Sequence, residues 1–596
     1  MTTNAEPSGR PEGPLARQIT RRTLLRLSAT AGSVGIVGGL LAACSSQPSN
    51  PTSSNSTSST STTTTQSSTG AGATSTTGSP TAGSTTTTAQ ATPAPAKGGT
   101  VTFGIDQEPP TFDPQASPSA ITFYITSSAG ESLIYMDPNR QLKPWLASSW
   151  EASSDGTSFT FKLVSGATFQ DNTPFNAAAV KWNFDRVVDP KFTAGASLGA
   201  LGPYKSTDVV DDATATVNFK SAYAPFLVNA ATPFLALLSP TGTPKQGSQV
   251  NAAPILSGPY QVTNYVPKQS VTLKRWDGYN RTVPWASQSG PGYLDSVNWK
   301  FIPEEGTRVV TVQSGETQAI DITQAQSLPP LQASNQFKVM TAPWTGVPLA
   351  MLLVVDNPPT DELAVRQAIS YAIDKDTIVN TLYKGIGTKA IGPLVAAMID
   401  DPSLRAMYPF DVNKANSLLD GAGWKMGSNG IRSKGGKPLN FILNAIDYGS
   451  GPDPTSVLIQ AQLKKVGIQV QIKSQARAPW YEDNYKGVDN GMTLFLRSGD
   501  YDALYSLFYS GNIGTNFNWA RVKDPTIDQM LQQGRAQSDP TKRKALYLQL
   551  EQKIMDMAAI VPLVDQLSVF VLRSNVAGMQ FTGFTYPVVN DMSISK

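Results

Sequence analysis

Alternating apolar residues predict β-strands soon after residue 97. Val101, Phe103 and Ile105 alternate with small or polar residues, which is the spacing of a half-buried strand. Residues 159–163 repeat this alternation directly after Asp155-Gly156, a dipeptide typical of a tight hairpin turn. Ordered β-structure is therefore expected to begin at about residue 100.

Two consecutive helices are predicted after the proline pair at 358–359. Prolines prevent a helix from extending backwards through them, and Thr360 or Asp361 can cap a new helix. Apolar residues then recur at helical spacing between Val365 and Ile373. Asp374 interrupts this pattern and can cap the second helix, so the two helices are expected to meet there.

Helical and strand patterns alternate in the C-terminal half. Residues 456–466 have the periodicity of an amphipathic helix, and residues 467–472 alternate like a strand. A helix between two strands fits a parallel crossover unit. Residues 524–566 predict two more helices and a strand. The chain is therefore expected to have an α/β fold.

The N-terminal segment has the features of an export signal. Arg21 and Arg22 precede the apolar, glycine-rich run Leu27–Leu41, which suggests the twin-arginine export route. The run ends in Leu41-Ala42-Ala43-Cys44, which resembles a lipobox whose cysteine is acylated. A plain transmembrane anchor is the alternative, but the run is short for a span of about 20 residues. Residues 45–96 are rich in Ser and Thr and predict a disordered tether.

Composition excludes several kinds of chemistry. The chain has no histidine and one cysteine, so it lacks the residues for Ser-His-Asp or Cys-His catalysis, imidazole metal sites and intrachain disulfides. Five arginines and two glutamates precede Cys44, and removing them from 47 basic and 44 acidic residues leaves no net charge. Such a mature chain gives no support for nucleic-acid binding.

Several segments resemble, in order, the family 5 solute-binding proteins of ABC importers, the class that binds dipeptides, oligopeptides and nickel chelates. The segments that carry the resemblance are VRQAISYAIDKDTIV (365–379), LKPWLASSW (142–150), FQDNTPFNAAAVKWNFDR (169–186), SGPY (257–260), GETQAIDIT (315–323) and GAGW (421–424). The resemblance implies a two-lobed, periplasmic-binding-protein-like α/β fold with an extra subdomain in the first lobe and a ligand cleft between the lobes. The expected divisions are a lipoprotein signal peptide (1–44), a tether (45–96), lobe I (97–325 and 566–596) and lobe II (326–565).

The resemblance also implies a function in capture. The protein is expected to be an exported lipoprotein, anchored through Cys44 to the outer face of the cytoplasmic membrane. It would act as a monomer that binds a small, peptide-like solute and delivers it to an importer permease and ATPase. No catalytic residues, no metal and no cofactor are expected in this protein.

The resemblance places candidate ligand-binding residues in two segments. In peptide-binding relatives, a short segment carries tryptophan, a small residue, glycine and an aspartate that pairs with the peptide's α-amino group. Ser498, Gly499 and Asp500 match this pattern, while Arg497 stands in the tryptophan place. The alternative for Asp500 is a loop acid that bonds to its own backbone. The candidate ligand-binding residues are Glu108, Pro109, Thr111, Arg497, Ser498, Gly499, Asp500 and Tyr501.

Two other functions fit the residues less well. A ligand-sensing lipoprotein could share this fold without a transporter, and neighbouring permease or sensor-kinase genes would discriminate the two. A secreted hydrolase could use carboxylate pairs such as Asp400-Asp401 or Glu304-Glu305. Adjacent acids in a loop are usually solvated, so the hydrolase is the weaker alternative.

Overall fold

A computed structural model describes residues 97–117, 119–447 and 453–595. The predicted signal peptide, the lipid attachment point Cys44 and the tether lie outside the described residues. Within the described part of the chain, no helix has both the length and the apolar character needed to cross a membrane.

Strands and helices alternate along the described chain. The strands are β1 (Thr100–Ile105), β2 (Ile134–Met136), β3 (Leu142–Pro144), β4 (Ala147–Ala152), β5 (Ser158–Leu163), β6 (Tyr204–Asp211), β7 (Thr214–Phe219), β8 (Tyr260–Val266), β9 (Ser270–Arg275), β10 (Ser296–Phe301), β11 (Ala319–Asp321), β12 (Phe337–Pro343), β13 (Gly346–Leu353), β14 (Gly387–Lys389), β15 (Lys425–Met426), β16 (Arg432–Lys434), β17 (Lys437–Pro438), β18 (Asn440–Ile446), β19 (Gln469–Gln475), β20 (Gly491–Arg497), β21 (Ile560–Arg573), β22 (Val576–Ala577), β23 (Gln580–Phe581), β24 (Pro587–Val588) and β25 (Ser593–Ile594).

The α-helices are mostly short. They are α1 (Ile121–Thr126), α2 (Ala177–Val188), α3 (Ser197–Leu201), α4 (Phe226–Asn229), α5 (Thr243–Gln246), α6 (Glu305–Ser314), α7 (Leu328–Gln332), α8 (Leu363–Ala372), α9 (Lys375–Leu382), α10 (Pro402–Arg405), α11 (Val412–Gly421), α12 (Pro454–Lys464), α13 (Arg477–Lys486), α14 (Ala503–Phe508), α15 (Pro525–Ala536) and α16 (Pro540–Asp556). Short 3₁₀ helices cover Pro233–Leu235, Gly247–Asn251, Ala325–Ser327 and Ser510–Asn512.

One mixed sheet of 12 strands carries most of the architecture. Its path runs in the order β19-β18-β20-β13-β21-β11-β1-β10-β9-β8, and β12 and β14 also pair with β21. Strand β21 occupies the middle of this path. Its first half pairs with β13 and its second half with β11 and β12. A single strand therefore connects the two ends of the sheet, in agreement with the predicted α/β fold of two lobes.

The predicted crossover unit is present at the β19 end. Strands β18 and β19 are parallel, and α12 connects them. Val365 and Ile369 of α8 pack against Leu443 of β18 and Ile459 of α12 in one buried cluster. The periodicity that predicts these helices therefore marks the face that is buried against the sheet.

The helix pair after residue 358 forms as predicted, apart from its first cap. Asp374 caps α9, and its side chain accepts a hydrogen bond from the Thr377 amide. The predicted cap of α8 by Thr360 or Asp361 is wrong, because α8 begins after Glu362 and has no side-chain cap. The Thr360 hydroxyl instead donates to the Asn357 carbonyl at 2.8 Å, so it is used within the preceding turn.

A separate four-stranded sheet forms a second layer in the N-terminal half. Its order is β4-β5-β7-β6, and α2 packs against it. Phe161, Phe184 and Phe226 are fully buried in the shared core. This sheet corresponds to the extra subdomain that the family fold implies for the first lobe.

The strand pairing bears on where one lobe ends and the next begins. Residues 326–565 are predicted to form lobe II, yet β12 pairs with residues 567–573 of β21, beside the strands of lobe I. Leu328 and Leu331 of α7 pack with Val312 and Ile320 from the same side. The lobe boundaries remain a prediction, and these contacts associate residues 328–343 with the first-lobe strands.

Candidate functional site

The segment 497–501 joins the end of β20 to α14. The Ser498 amide donates to the Thr345 carbonyl at 3.1 Å, so the segment is fixed beside the start of β13. The Ser498 hydroxyl donates to the Asp500 carbonyl at 3.0 Å and closes a tight turn. This turn directs the Arg497 and Asp500 side chains to different neighbours.

Gly499 is the point where this turn contacts Arg140 and Phe584, both in segments predicted to belong to lobe I. Its carbonyl accepts a hydrogen bond of 2.5 Å from Nη2 of Arg140, in the β2–β3 turn. A Cβ at Gly499 would lie 2.0 Å from a ring carbon of Phe584, so no larger residue fits there. The glycine therefore permits close approach between segments that are far apart in sequence.

Arg497 lies among aromatic side chains. Its guanidinium carbon is 3.8 Å from the ring centroid of Trp344 and 5.9 Å from those of Tyr124 and Tyr586. Nη2 makes two long contacts of 3.4 Å, to the hydroxyls of Tyr124 and Ser568. Nη1 is buried and has no hydrogen-bond partner among the described residues. The side chain is therefore held by stacking, and no carboxylate among residues 97–117, 119–447 and 453–595 pairs with it.

A cavity of about 100 Å³ lies beside these aromatic residues, next to the crossing strand β21. Tyr124, Trp344 and Ser568, all neighbours of Arg497, contribute to its wall. The remaining lining residues are Asp321, Ile322, Thr323, Tyr383, Ile386, Gln566, Leu567 and Val569. The lining combines polar groups with aromatic surface, as is usual for small-molecule sites.

Asp321, the acid in this lining, is already engaged. Its Oδ1 lies 2.9 Å from Nε of Arg308, and both side chains are buried. Burial and the neighbouring Asp106 raise the pKa of Asp321, while Arg308 opposes the shift. The acid therefore contributes less negative charge to the cavity than an exposed aspartate would.

The Asp500 side chain forms a buried ion pair on the far side of the turn. Its oxygens accept hydrogen bonds of 2.7 and 2.5 Å from Nη1 and Nη2 of Arg543 in α16, and Oδ1 also accepts from the Asp502 amide at 2.8 Å. Burial raises the pKa of Asp500, but Arg543 outweighs it, so the pKa lies below its ordinary value. A ligand amine would have to share Asp500 with Arg543. The amine-anchor role of Asp500 stays a prediction.

Tyr501 is directed toward the buried cluster that contains Tyr547. Its ring centroid is 5.2 Å from that of Tyr547, and its hydroxyl lies 3.5 Å from the Met398 carbonyl. Its pKa is raised, chiefly because the side chain is buried. No described contact joins Tyr501 to the cavity beside Arg497.

Glu108, Pro109 and Thr111 lie in another environment. The Glu108 carboxylate accepts hydrogen bonds from the Tyr265 hydroxyl at 2.5 Å and the Lys268 amide at 2.8 Å, which ties the loop to the β8–β9 hairpin. The Thr111 hydroxyl donates to the Asn251 side chain at 2.8 Å. Pro109 is buried. No described contact brings these residues to segment 497–501, and their ligand-binding role remains untested.

A second acidic region lies under the loop that follows β14. Glu551 of α16 accepts a hydrogen bond from the Leu394 amide at 2.9 Å, and its other oxygen is buried without a partner among the described residues. Burial raises the pKa of Glu551 to about 8. Asp565 accepts from the Ala396 amide at 3.0 Å, and burial raises its pKa to about 6. Both acids hold loop backbone and neither forms an ion pair in the described part of the chain.

Sequence reasoning missed the residues that surround Arg497. Tyr124, Trp344, Ser568 and Tyr586 come from four separate segments, and only the fold brings them together. Arg140 was also missed, although it lies directly before the segment 142–150 that carries part of the family resemblance. Its left-handed backbone conformation, with φ of 64°, places it in a sharp turn. Across residues 97–117, 119–447 and 453–595, no group of three acids or cysteines is arranged to hold a metal ion.

The sheet with its shared central strand and the cavity beside that strand define a two-lobed binding protein. The model of the bacterial extracellular solute-binding proteins, family 5, matches residues 141–519. The chain belongs to this family. Members of the family are extracytoplasmic transport binding proteins that work with ABC importers, and they are not enzymes.

Known relatives extend over nearly the whole described chain. The glutathione-binding protein GsiB of Escherichia coli (strain K12) is 29% identical over 497 residues, which cover 80% of this chain and 91% of that protein. NikA from Brucella suis, solved with Fe(III)-EDTA, has a TM-score of 0.74 and 25% identity, covering 83% of this chain and all of NikA. AppA from Bacillus subtilis, solved with a nonapeptide, has a TM-score of 0.71 and 22% identity, covering 84% and 100% of the two chains. These similarities agree with the two-lobed fold.

Proposed function

We propose that this protein captures a small, peptide-like solute between its two lobes and delivers it to the permease and ATPase of an ABC importer. The observation that carries the proposal is the cavity beside β21, which Trp344 and Tyr124 from distant segments line and beside which Arg497 stacks on Trp344. The glutathione-binding relatives and the peptide-bound AppA support a peptide-like ligand. Interdomain cavities of this type are common binding sites in proteins that close by a hinge.

The contacts of Gly499 support closure around the solute. The Arg140 side chain reaches the Gly499 carbonyl, and Phe584 packs on the Gly499 backbone, so segment 497–501 meets the opposite lobe. We propose that Arg497, Ser498, Gly499, Asp500 and Tyr501 form this closing segment. Glu108, Pro109 and Thr111, which lie in the loop after β1, remain candidate ligand-binding residues.

Ligand capture is tested by scattering together with mass spectrometry. The purified protein is freed of solute in denaturant, refolded and incubated with a mixture of di- and tripeptides. We expect native mass spectrometry to detect a bound peptide and small-angle scattering to show a smaller radius of gyration. Failure to bind any peptide would contradict a peptide-like ligand. Binding with an unchanged radius of gyration would contradict closure.

We further propose that Cys44 carries a lipid that holds the mature protein on the outer face of the cytoplasmic membrane. The lone cysteine directly after Leu41-Ala42-Ala43, before a Ser/Thr-rich segment, supports this. Cys44→Ser is expected to move the protein from the membrane to the soluble fraction, while Ser46→Ala leaves it in the membrane. Retention of Cys44→Ser in the membrane fraction would contradict the lipid anchor.

A further inference from the structure

We propose that the binding site selects solutes that carry a carboxylate, and that Arg497 binds this carboxylate through Nη1. The inference rests on the proposed capture function and specifies the chemistry of its ligand.

The first support is the missing partner of Arg497. Nη1 is shielded from solvent and makes no hydrogen bond within the described chain, and the two contacts of Nη2 are long, at 3.4 Å. A shielded cation without an opposite charge costs free energy, because the protein interior solvates a charge less well than water does. An incoming anion would supply the charge that the chain itself does not provide.

The second support is the rigid position of the guanidinium. It stacks on Trp344, and the indole Nε1 donates to the Ser568 hydroxyl at 2.9 Å, which fixes the ring. Stacking engages the face of the planar guanidinium, whereas its edge carries the N–H donors whose spacing matches the two oxygens of a carboxylate. Tyr586 lies nearby, and burial raises its pKa to about 12, so its hydroxyl stays protonated and can donate to an anion.

The third support is that the nearby acids are already paired. Arg543 binds both oxygens of Asp500, and Arg308 binds Asp321. Neither acid forms an ion pair with Arg497 among the residues that the structure describes. Arg497 is therefore left without an opposite charge, whereas Arg308 is shared between Asp321 and Glu305 at the Asp321 wall of the cavity. An anionic ligand group placed at Arg497 would supply the missing charge.

The test compares acids with their neutral amides. The probes are trialanine and its C-terminal amide, together with succinate and succinamide, measured by calorimetry on the refolded protein. The wild type is expected to bind each acid at least about tenfold more tightly than the matched amide, because an amide leaves the guanidinium unpaired. Arg497→Gln is expected to remove this preference. Arg405→Gln, which removes an exposed arginine elsewhere, is expected to retain it.

Each result decides between the two proposals. Equal affinity for acid and amide, or an acid preference that survives in Arg497→Gln, would overturn the carboxylate site while leaving solute capture intact. Failure of both acids to bind the wild type at millimolar concentrations would also overturn it. Native mass spectrometry of the protein before refolding tests capture separately, since any retained solute supports capture. A retained solute without an acidic group would count only against the carboxylate site.

Discussion

Asp500 and Arg497 lie three residues apart on one turn, but only Asp500 has an ion-pair partner in the described chain. Asp500 is buried and accepts two hydrogen bonds from Arg543. Arg497 stacks on Trp344 and has no carboxylate partner in the described chain. The first charge is satisfied within the protein and holds α16 against the turn. The second is available to a ligand, so proximity to the cleft alone does not identify a binding residue.

The buried acids of this region show the same contrast. Asp500 and Glu551 are both almost completely shielded from solvent. The pKa of Asp500 lies below its ordinary value because Arg543 is adjacent, whereas burial raises the pKa of Glu551 to about 8 in the absence of a cation. The partner, and not the depth of burial, decides the direction of the shift.

The largest expected effect is on the stability of Asp500→Asn. The substitution leaves Arg543 buried without its opposite charge, which typically costs about 3–5 kcal/mol. We expect a loss of this size in the free energy of unfolding of the ligand-free protein, measured in urea. Asp400→Asn is the matched control, because its partner Arg405 is exposed and such pairs contribute about 1 kcal/mol or less.

The same variant tests the amine-anchor prediction for Asp500. If Asp500→Asn keeps wild-type stability but binds a free-amine peptide no better than its N-acetylated form, the internal ion pair is not the main role of Asp500. The contrast with Arg497 would then fail, and both residues would be ligand contacts.

A smaller effect is expected in the pH dependence of Glu551→Gln. Because the folded protein holds the Glu551 proton up to about pH 8, against an ordinary pKa of 4.5, stability is lost as pH rises between these values. The loss attributable to one such group is at most about 1.4 kcal/mol per pH unit. Urea unfolding from pH 5 to pH 8 should therefore show a flatter stability profile for Glu551→Gln.

The matched control for this profile is Glu482→Gln. Glu482 is exposed and pairs with Lys486 one helical turn away, so its removal should leave the slope unchanged. An unchanged slope in Glu551→Gln would mean that Glu551 is ionised in the folded protein, and its contrast with Asp500 would disappear.

The smallest effect is expected for the stability of Arg497→Gln without ligand. No ion pair is lost, and the stacking on Trp344 that disappears is worth about 1 kcal/mol. The free energy of unfolding should therefore stay within about 1 kcal/mol of the wild type, whereas Arg543→Gln should lose several times more. Equal losses in the two variants would show that Arg497 has a structural partner after all.

Local patterns in the sequence were sufficient for much of the fold. The helices at 363–382 and the β18-α12-β19 unit follow from apolar spacing, because the buried face of each element repeats at its own period. The cap of α8 was predicted wrongly because Thr360 bonds within its own turn. Caps depend on one hydrogen bond, and sequence allows several neighbours to compete for it.

The candidate site was only partly predictable. Segment 497–501 could be located from its family resemblance, but its partners could not. Arg543 lies 43 residues from Asp500, and Tyr124 lies 373 residues from Arg497. No local spacing encodes such contacts, because they arise only when distant helices and strands pack together. The tertiary structure therefore decides whether a charge at the site is paired within the protein or is left without an ion-pair partner.

Strand β21 constrains how the cleft can open. Its residues 560–564 pair with β13 and its residues 567–573 with β12, with no break in the chain between them. An extended strand cannot lengthen, since its rise is fixed at about 3.3 Å per residue by covalent geometry. If the lobes close on a solute as proposed, the change in angle between them falls on the backbone dihedrals of β21 near residues 565–567, between the segment that pairs with β13 and the segment that pairs with β12.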